Sequence, residues 1–154
     1  MHDVEFQPAD PPDLTDARLD HAVVILPQRM EGEEGVYRDE QLTLAKELRG
    51  EGVDADYAQD ADHRLWHGLK GGDVLIQVTL GLGTSIVGSA VVGVVAAVLR
   101  RKFGGRRLHL KVGRISASGA VDAQWFEAEG DADDVLNALD RFQFPEQLDG
   151  GDES

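Results

Sequence analysis

Apolar positions fall along the chain in short continuous runs and in alternating runs, and each kind predicts an element. Ala22-Val23-Val24-Ile25-Leu26, closed by Pro27, has the continuous pattern of a buried strand. The stretch VYRDEQLTLAKELRGEG places Tyr37, Leu44, Ala45 and Leu48 near one face of a helix, with Gly50 and Gly52 as its stop signals. Val53, Ala55 and Tyr57 alternate with Asp54 and Asp56, the period of a half-exposed strand. DADHRLWHGL then predicts a short helix capped by Asp60 or Asp62.

The second half repeats the alternation of element types without repeating the sequence. DVLIQVTL reads as a strand, GLGT as a turn, and SIVGSAVVGVVAAVL as a long apolar helix ending at Arg100, Arg101 and Lys102. Leu108, Leu110 and Val112 then alternate with Arg107, His109 and Lys111. SASG supplies a turn, and Val121, Ala123 and Trp125 alternate with Asp122 and Gln124. The pair predicts a hairpin whose outer face is cationic on one strand and acidic or amide on the other. A last helix is signalled by Asp131 at its N-cap, Asp133 and Asp134 near the positive end of its dipole, Val135, Leu139 and Phe142 on one stripe, and Pro145 beyond. These elements predict an α+β fold, a small mixed sheet packed against two or three helices with a central Gly/Val-rich buried helix; a three-layer α/β arrangement is the alternative. Residues 1–20 read as a disordered acidic leader without the basic and apolar regions of a signal peptide, 21–144 as one domain, and 145–154 as a disordered acidic tail.

Residues 74–99 carry no charge over 26 positions, longer than the roughly 18 to 20 that nominate a membrane span. Ser85, Ser89, Gly93 and Ala97 recur every fourth position, a smooth stripe that can seat a helix against a sheet or against another membrane helix. The glycines after the Val/Ile/Leu run divide the segment more naturally into a strand and a buried helix. A cytoplasmic location follows from that division, and an inner-membrane-associated protein inserting 74–99 is the alternative.

Charge changes the picture further. The chain of 154 residues has a formal net charge of −14 and no cysteine, which excludes disulfide frameworks, thiolate metal sites and cysteine nucleophiles. Seven of the 15 Lys and Arg side chains, and none of the 29 acids, lie in residues 100–114. Arg100, Arg101, Lys102, Arg106, Arg107, His109, Lys111 and Arg114 therefore form a candidate surface for an acidic protein partner. Their alternative use is internal, closing a helix C-terminus and pairing with acids on neighbouring elements. Nucleic acid is disfavoured by the overall acidity and by the lack of stacking aromatics in the island apart from Phe103.

Catalytic chemistry finds little support. Gly81, Gly83, Thr84 and Ser85 follow a strand and open a helix, the setting of a phosphate or nucleotide loop, but position 86 is Ile and no GKS or GKT lysine is present. Glycine as a tight turn is the simpler reading. His63 and His67 share a face if HRLWH is helical and would make a weak metal pair; Arg64 stands where a zinc-peptidase motif needs glutamate, and no third ligand is specified. No nucleophile elbow is present. No cofactor and no enzymatic activity are expected.

Residues 37–142 resemble a family of small bacterial domains, the effector-associated constant components. The likeness lies in LTLAKELRG followed by a short strand, the Gly-interrupted helix VVGVVAAVLRRK, the basic alternating strand RRLHLKV, the turn leading to VDA, and the final helix opened by DADDV. The resemblance implies a noncatalytic α+β adaptor that serves effectors such as proteases in bacterial conflict or signalling systems. The acidic leader, the extra strand at Ala22 to Leu26 and the lack of a fused effector depart from it, so that a partner would be recruited in trans.

Overall fold

The apolar runs assemble as strands of one mixed sheet. A computed structural model describes residues 4–12, 17–18, 21–67, 74–80, 88–114 and 124–142. Along the chain these form β1 (Gln7–Ala9), β2 (Val23–Leu26), β3 (Arg29–Glu31), β4 (Glu34–Arg38), α1 (Leu44–Gly50), β5 (Ala55–Tyr57), β6 (Arg64–His67), β7 (Val74–Leu80), α2 (Gly88–Phe103), β8 (Arg107–Arg114), β9 (Gln124–Asp131) and α3 (Ala132–Arg141). The larger sheet has the order β1-β9-β8-β7-β2-β5, and β3-β4-β6 form a smaller one. β7 and β8 are parallel and joined through α2, while β8 and β9 are the expected antiparallel pair.

Alternation along each strand divides the larger sheet into two unlike faces. On the first, Val23, Ile25, Val74, Ile76, Val78, Leu108, Leu110 and Val112 are buried with Leu44 and Leu48 of α1, Val95, Leu99 and Phe103 of α2, and Val135, Leu136 and Leu139 of α3. The helices cover that face, so the protein is α+β in two main layers and not the three-layer alternative. The second face has a smaller buried cluster, Val24, Leu26, Ala58 and Trp125, with Ala9 and Ala17 packed on it. The smaller sheet joins the main core through Tyr37 and Trp66, whose rings lie 5.2 Å apart and each meet Tyr57 edge-on.

Several expectations are corrected. Residues 34–38 are a strand, and the expected helix begins only at Leu44, after a 3-10 turn at Asp39–Gln41. Val36 and Tyr37 are both buried, and Gly32, at φ 63°, turns β3 back on β4. Pairing on both sides of β4 thus outweighs a helical period that Tyr37 satisfies by chance. The expected helix in DADHRLWHGL is a 3-10 turn at Ala61–His63 followed by β6, paired parallel to β4. The leader, expected to be disordered, supplies β1, which pairs with β9, and places Val4 and Phe6 against the core. Phe6, Phe126 and Phe142 stack there with centroids 5.0 Å apart. The acidic tail and the SASG turn lie outside the described residues.

The uncharged segment divides as its glycines suggested. β7 is an interior strand paired with β2 and β8, and no helix among the described residues is long and apolar enough to cross a membrane. A continuous insertion of 74–99 is therefore set aside. Gly93 and Ala97 of the small-residue stripe are exposed and do not seat α2 on the sheet; the seat is made by Val91, Val95, Val98, Leu99 and Phe103, while Ser85 lies outside the described residues. A β-carbon at Gly93 would touch nothing within 4 Å. Gly93→Ala is accordingly expected to stabilise the fold by about 0.5–1 kcal/mol, the helix-propensity difference. A loss of stability in urea titration would place position 93 against a packed neighbour.

Candidate interaction surface

The island of residues 100–114 begins at the end of α2, where four carbonyls lack intrahelical partners and cations are favoured. Its helical members turn toward α1, α3 and the turn before α1. Arg100 lies 3.5 Å from Asp140 and 3.2 Å from the Asn137 side chain. Arg101 lies 3.7 Å from Glu47 and 3.9 Å from Glu51. Lys102 donates to Glu47 at 2.8 Å and to the Thr43 hydroxyl at 3.1 Å. Just past the helix, Arg106 pairs with Glu40, which also accepts from Arg38 at 2.8 Å. The hydrogen bond from Lys102 holds the Glu47 carboxyl below its ordinary range. Burial works to raise Glu40, and the hydrogen bonds from Arg106 and Arg38 outweigh it and lower its pKa. The half of the island nearest the helix thus closes the joints among α1, α2 and α3, the internal use weighed from the sequence.

The strand half is arranged differently. Arg107, His109 and Lys111 point to the second face of the sheet, opposite Asp131, Glu129 and Glu127 of β9. Arg107 approaches Glu129 at 3.7 Å, and His109 Nε2 lies 2.7 Å from Glu127 Oε1. The cationic face therefore meets an acidic one, with the charges crossed by one residue pair, but its acids are not those expected: Trp125 stands on the cationic side, Gln124 falls in register with Arg114 of the helix-covered face, and Asp122 lies outside the described residues. Lys111 is half-buried between Glu127 and Gln77 in the strand register, and its side chain makes no hydrogen bond or ion pair among the described residues. Arg114 falls in register with Leu80 and Val23, so it belongs to the helix-covered face at the strand's end and is separated from the others. The eight candidate residues form two sets and an outlier, not one patch.

A cavity of about 480 Å³ adjoins this face, lined by Val4, Glu5, Gln7, His109, Glu127 and Glu129. It opens where β9 continues past the end of β1, which covers only residues 125–127 of that strand.

The remaining candidates are not brought together. Gly81, Gly83, Thr84 and Ser85 lie outside the described residues, and α2 opens at Gly88. His63 ends a 3-10 turn and His67 closes β6, with about 10 Å of extended chain between them at ~3.3 Å per residue, so they share no helical face. His63 Nδ1 instead meets Asp60 Oδ1 at 2.6 Å, and Nε2 lies 4.0 Å from Glu33. The Asp60 hydrogen bond raises the His63 pKa and lowers that of Asp60. No group of three His, Asp or Glu among the described residues fits a metal ion.

One feature of the second face escapes a reading of the sequence. The register places Ala9, Trp125, Gly113, Thr79 and Val24 in a single row across five strands. The Trp125 indole lies flat over Gly113, where a β-carbon would be 2.5 Å from the ring. Trp125 Nε1 and Thr79 Oγ1 are both buried and have no hydrogen-bond partner. A lone glycine inside an alternating strand is the signal that marks such a close approach.

Comparisons with models of known families, with characterised proteins and with solved structures give no match to this chain.

Proposed function

We propose that the protein is a noncatalytic interaction module that docks an acidic protein segment on the second face of its sheet, around Lys111. The observation that carries this reading is Lys111, a half-buried residue between Glu127 and Gln77 in the strand register, whose ammonium makes no hydrogen bond or ion pair among the described residues. An incoming carboxylate gives that ammonium a charge-assisted hydrogen bond. The helix-end cations offer less, because Glu40, Glu47, Glu51 and Asp140 already meet them. The resemblance to effector-associated components supplies the setting: a cytoplasmic adaptor recruiting a bacterial effector, such as a protease, in trans.

Affinity capture from the native lysate with wild-type, Lys111→Gln and Arg101→Gln proteins tests the surface. Lys111→Gln is expected to weaken capture about ten-fold or more, equivalent to about 1.4 kcal/mol, with Arg101→Gln near wild type. Undiminished capture by Lys111→Gln, with loss in Arg101→Gln, would move the interface to the helix end and overturn this assignment.

A further inference from the structure

On the second face, the strand register and the side-chain bonds give Glu127 different partners. In the antiparallel pair of β8 and β9, Glu127 stands directly opposite Lys111, and Glu129 opposite His109. Side chains directly opposite on one face have β-carbons about 4.5–5.5 Å apart, within easy reach of a Lys–Glu ion pair. Each acid nevertheless serves the cation one pair further along. Glu127 Oε1 lies 2.7 Å from His109 Nε2, and Glu129 lies 3.7 Å from Arg107. Lys111, last in the column, is the cation left over.

The bond at His109 depends on the charge of the ring. A carboxylate only accepts, so the proton of the bond is on Nε2, and a second proton on Nδ1 makes the donor cationic and the bond stronger. When the ring is neutral, the ammonium directly opposite Glu127 is the stronger donor. The groups that face His109 are Glu127 and Glu129 of β9, Arg107 and Lys111 of its own strand, and Glu5, which precedes β1 and lines the same cavity. Its register partner on β7 is Leu75, which carries no charge.

We infer that Glu127 is a built-in competitor for the acid that docks at Lys111, and that the charge on His109 decides which of the two cations Glu127 holds. This rests on the docking role proposed for the second face and adds its regulation. With the imidazole cationic, Glu127 stays on His109 and the Lys111 ammonium is open to a partner's carboxylate. With the imidazole neutral, Glu127 turns to Lys111, and a partner must displace an internal carboxylate acting at high effective concentration. Docking therefore strengthens as the solution is acidified through the range in which histidine ordinarily changes charge, roughly pH 8 to 5.

Fluorescence anisotropy of a labelled oligo-aspartate peptide, which stays ionised throughout, tests this at about pH 5.5 and about pH 8. The wild-type protein is expected to bind the peptide about five-fold more tightly at the lower pH, and in Glu127→Gln that ratio should fall below about two-fold. Glu129→Gln removes the same charge from the same strand and face but leaves the competitor in place, so it should keep the wild-type ratio. His21 and His63, 2.8 Å from Asp54 and 2.6 Å from Asp60, are present in every variant, so a general charge effect would survive Glu127→Gln. A wild-type ratio near one, or equal ratios in Glu127→Gln and Glu129→Gln, would overturn the inference. Lys111→Gln separates this outcome from failure of the docking reading. Weaker binding by Lys111→Gln together with a wild-type ratio near one keeps the docking face and removes its control, whereas unaltered binding by Lys111→Gln removes the docking face. The exchange of Glu127 also has a reading without any partner. In the wild-type protein alone, the nuclear Overhauser contact between the Lys111 ε-methylene and Glu127 γ-methylene protons should be stronger at the higher pH, and equal intensity at both would overturn the exchange.

Discussion

Phe103→Ala should lower the unfolding free energy by about 3–5 kcal/mol, the range for deleting a fully buried phenyl ring. Phe103 is 1% exposed at the last turn of α2, in the same buried cluster as Leu99, Leu108, Leu110, Leu136 and Leu139. It sits where three kinds of support converge: the sheet, α3, and the turn in which the Arg106 amide donates to the Phe103 carbonyl at 3.0 Å. That turn is tightened by Gly105 at φ 84° and by the Gly104 amide donating to Arg100, so the backbone there has little freedom to collapse into a cavity. Loss of transfer free energy and an unfilled cavity therefore add. The Arg106 guanidinium, 5.9 Å from the ring centroid, contributes at most a small cation–π increment beside them. Urea unfolding followed by circular dichroism measures the change; a loss below about 1 kcal/mol would mean that α2 does not depend on this residue for its seat.

Gly113→Ala is expected to destabilise by about 1–3 kcal/mol, although adding a side chain to a strand glycine normally helps by roughly 0.5–1 kcal/mol. The sign is decided by contact distance. The new β-carbon would stand 2.5–2.6 Å from Cε2, Cδ2 and Cζ2 of Trp125, far inside the 3.5–4.0 Å at which carbon atoms attract. The indole cannot give way easily, since Val24, Leu26 and Ala58 are fully buried around it and Ala9 and Ala17 lie above it. Relief requires the ring to leave the row and displace Ala9 and Ala17. In a Trp66→Phe background, which leaves Trp125 as the one tryptophan of the chain, its emission should shift to the red as stability falls. Unchanged emission with unchanged stability would show that the ring does not lie over Gly113.

These two expectations mark the two kinds of information in the chain. Phe103 belongs to a helix that its pattern announces, a Gly-interrupted apolar run ending in three cations. Gly113 reads as a break in an otherwise regular alternation, but nothing local says that its partner is Trp125, twelve positions along the chain. The same division holds for the candidate surface. That residues 100–114 are cationic is a count; that Arg101 and Lys102 meet Glu47, while Lys111 meets no acid among the described residues, depends on how α1 and β9 are placed.

Periodicity by itself determined the apolar strands at β2, β5, β7 and β8, the helices α2 and α3, and the α+β class, because burial on one face imposes a repeat that neighbouring residues carry together. Tertiary structure decided the rest. Glu34–Arg38, Arg64–His67 and Gln7–Ala9 became strands because each found a paired edge, and short strands draw their stability from hydrogen bonds and packing supplied by distant parts of the chain. Only that assembly could turn Gly93 and Ala97 of α2 to solvent, commit the helix-end cations to internal pairs, and pack Ala9 and Ala17 against the cluster of Trp125.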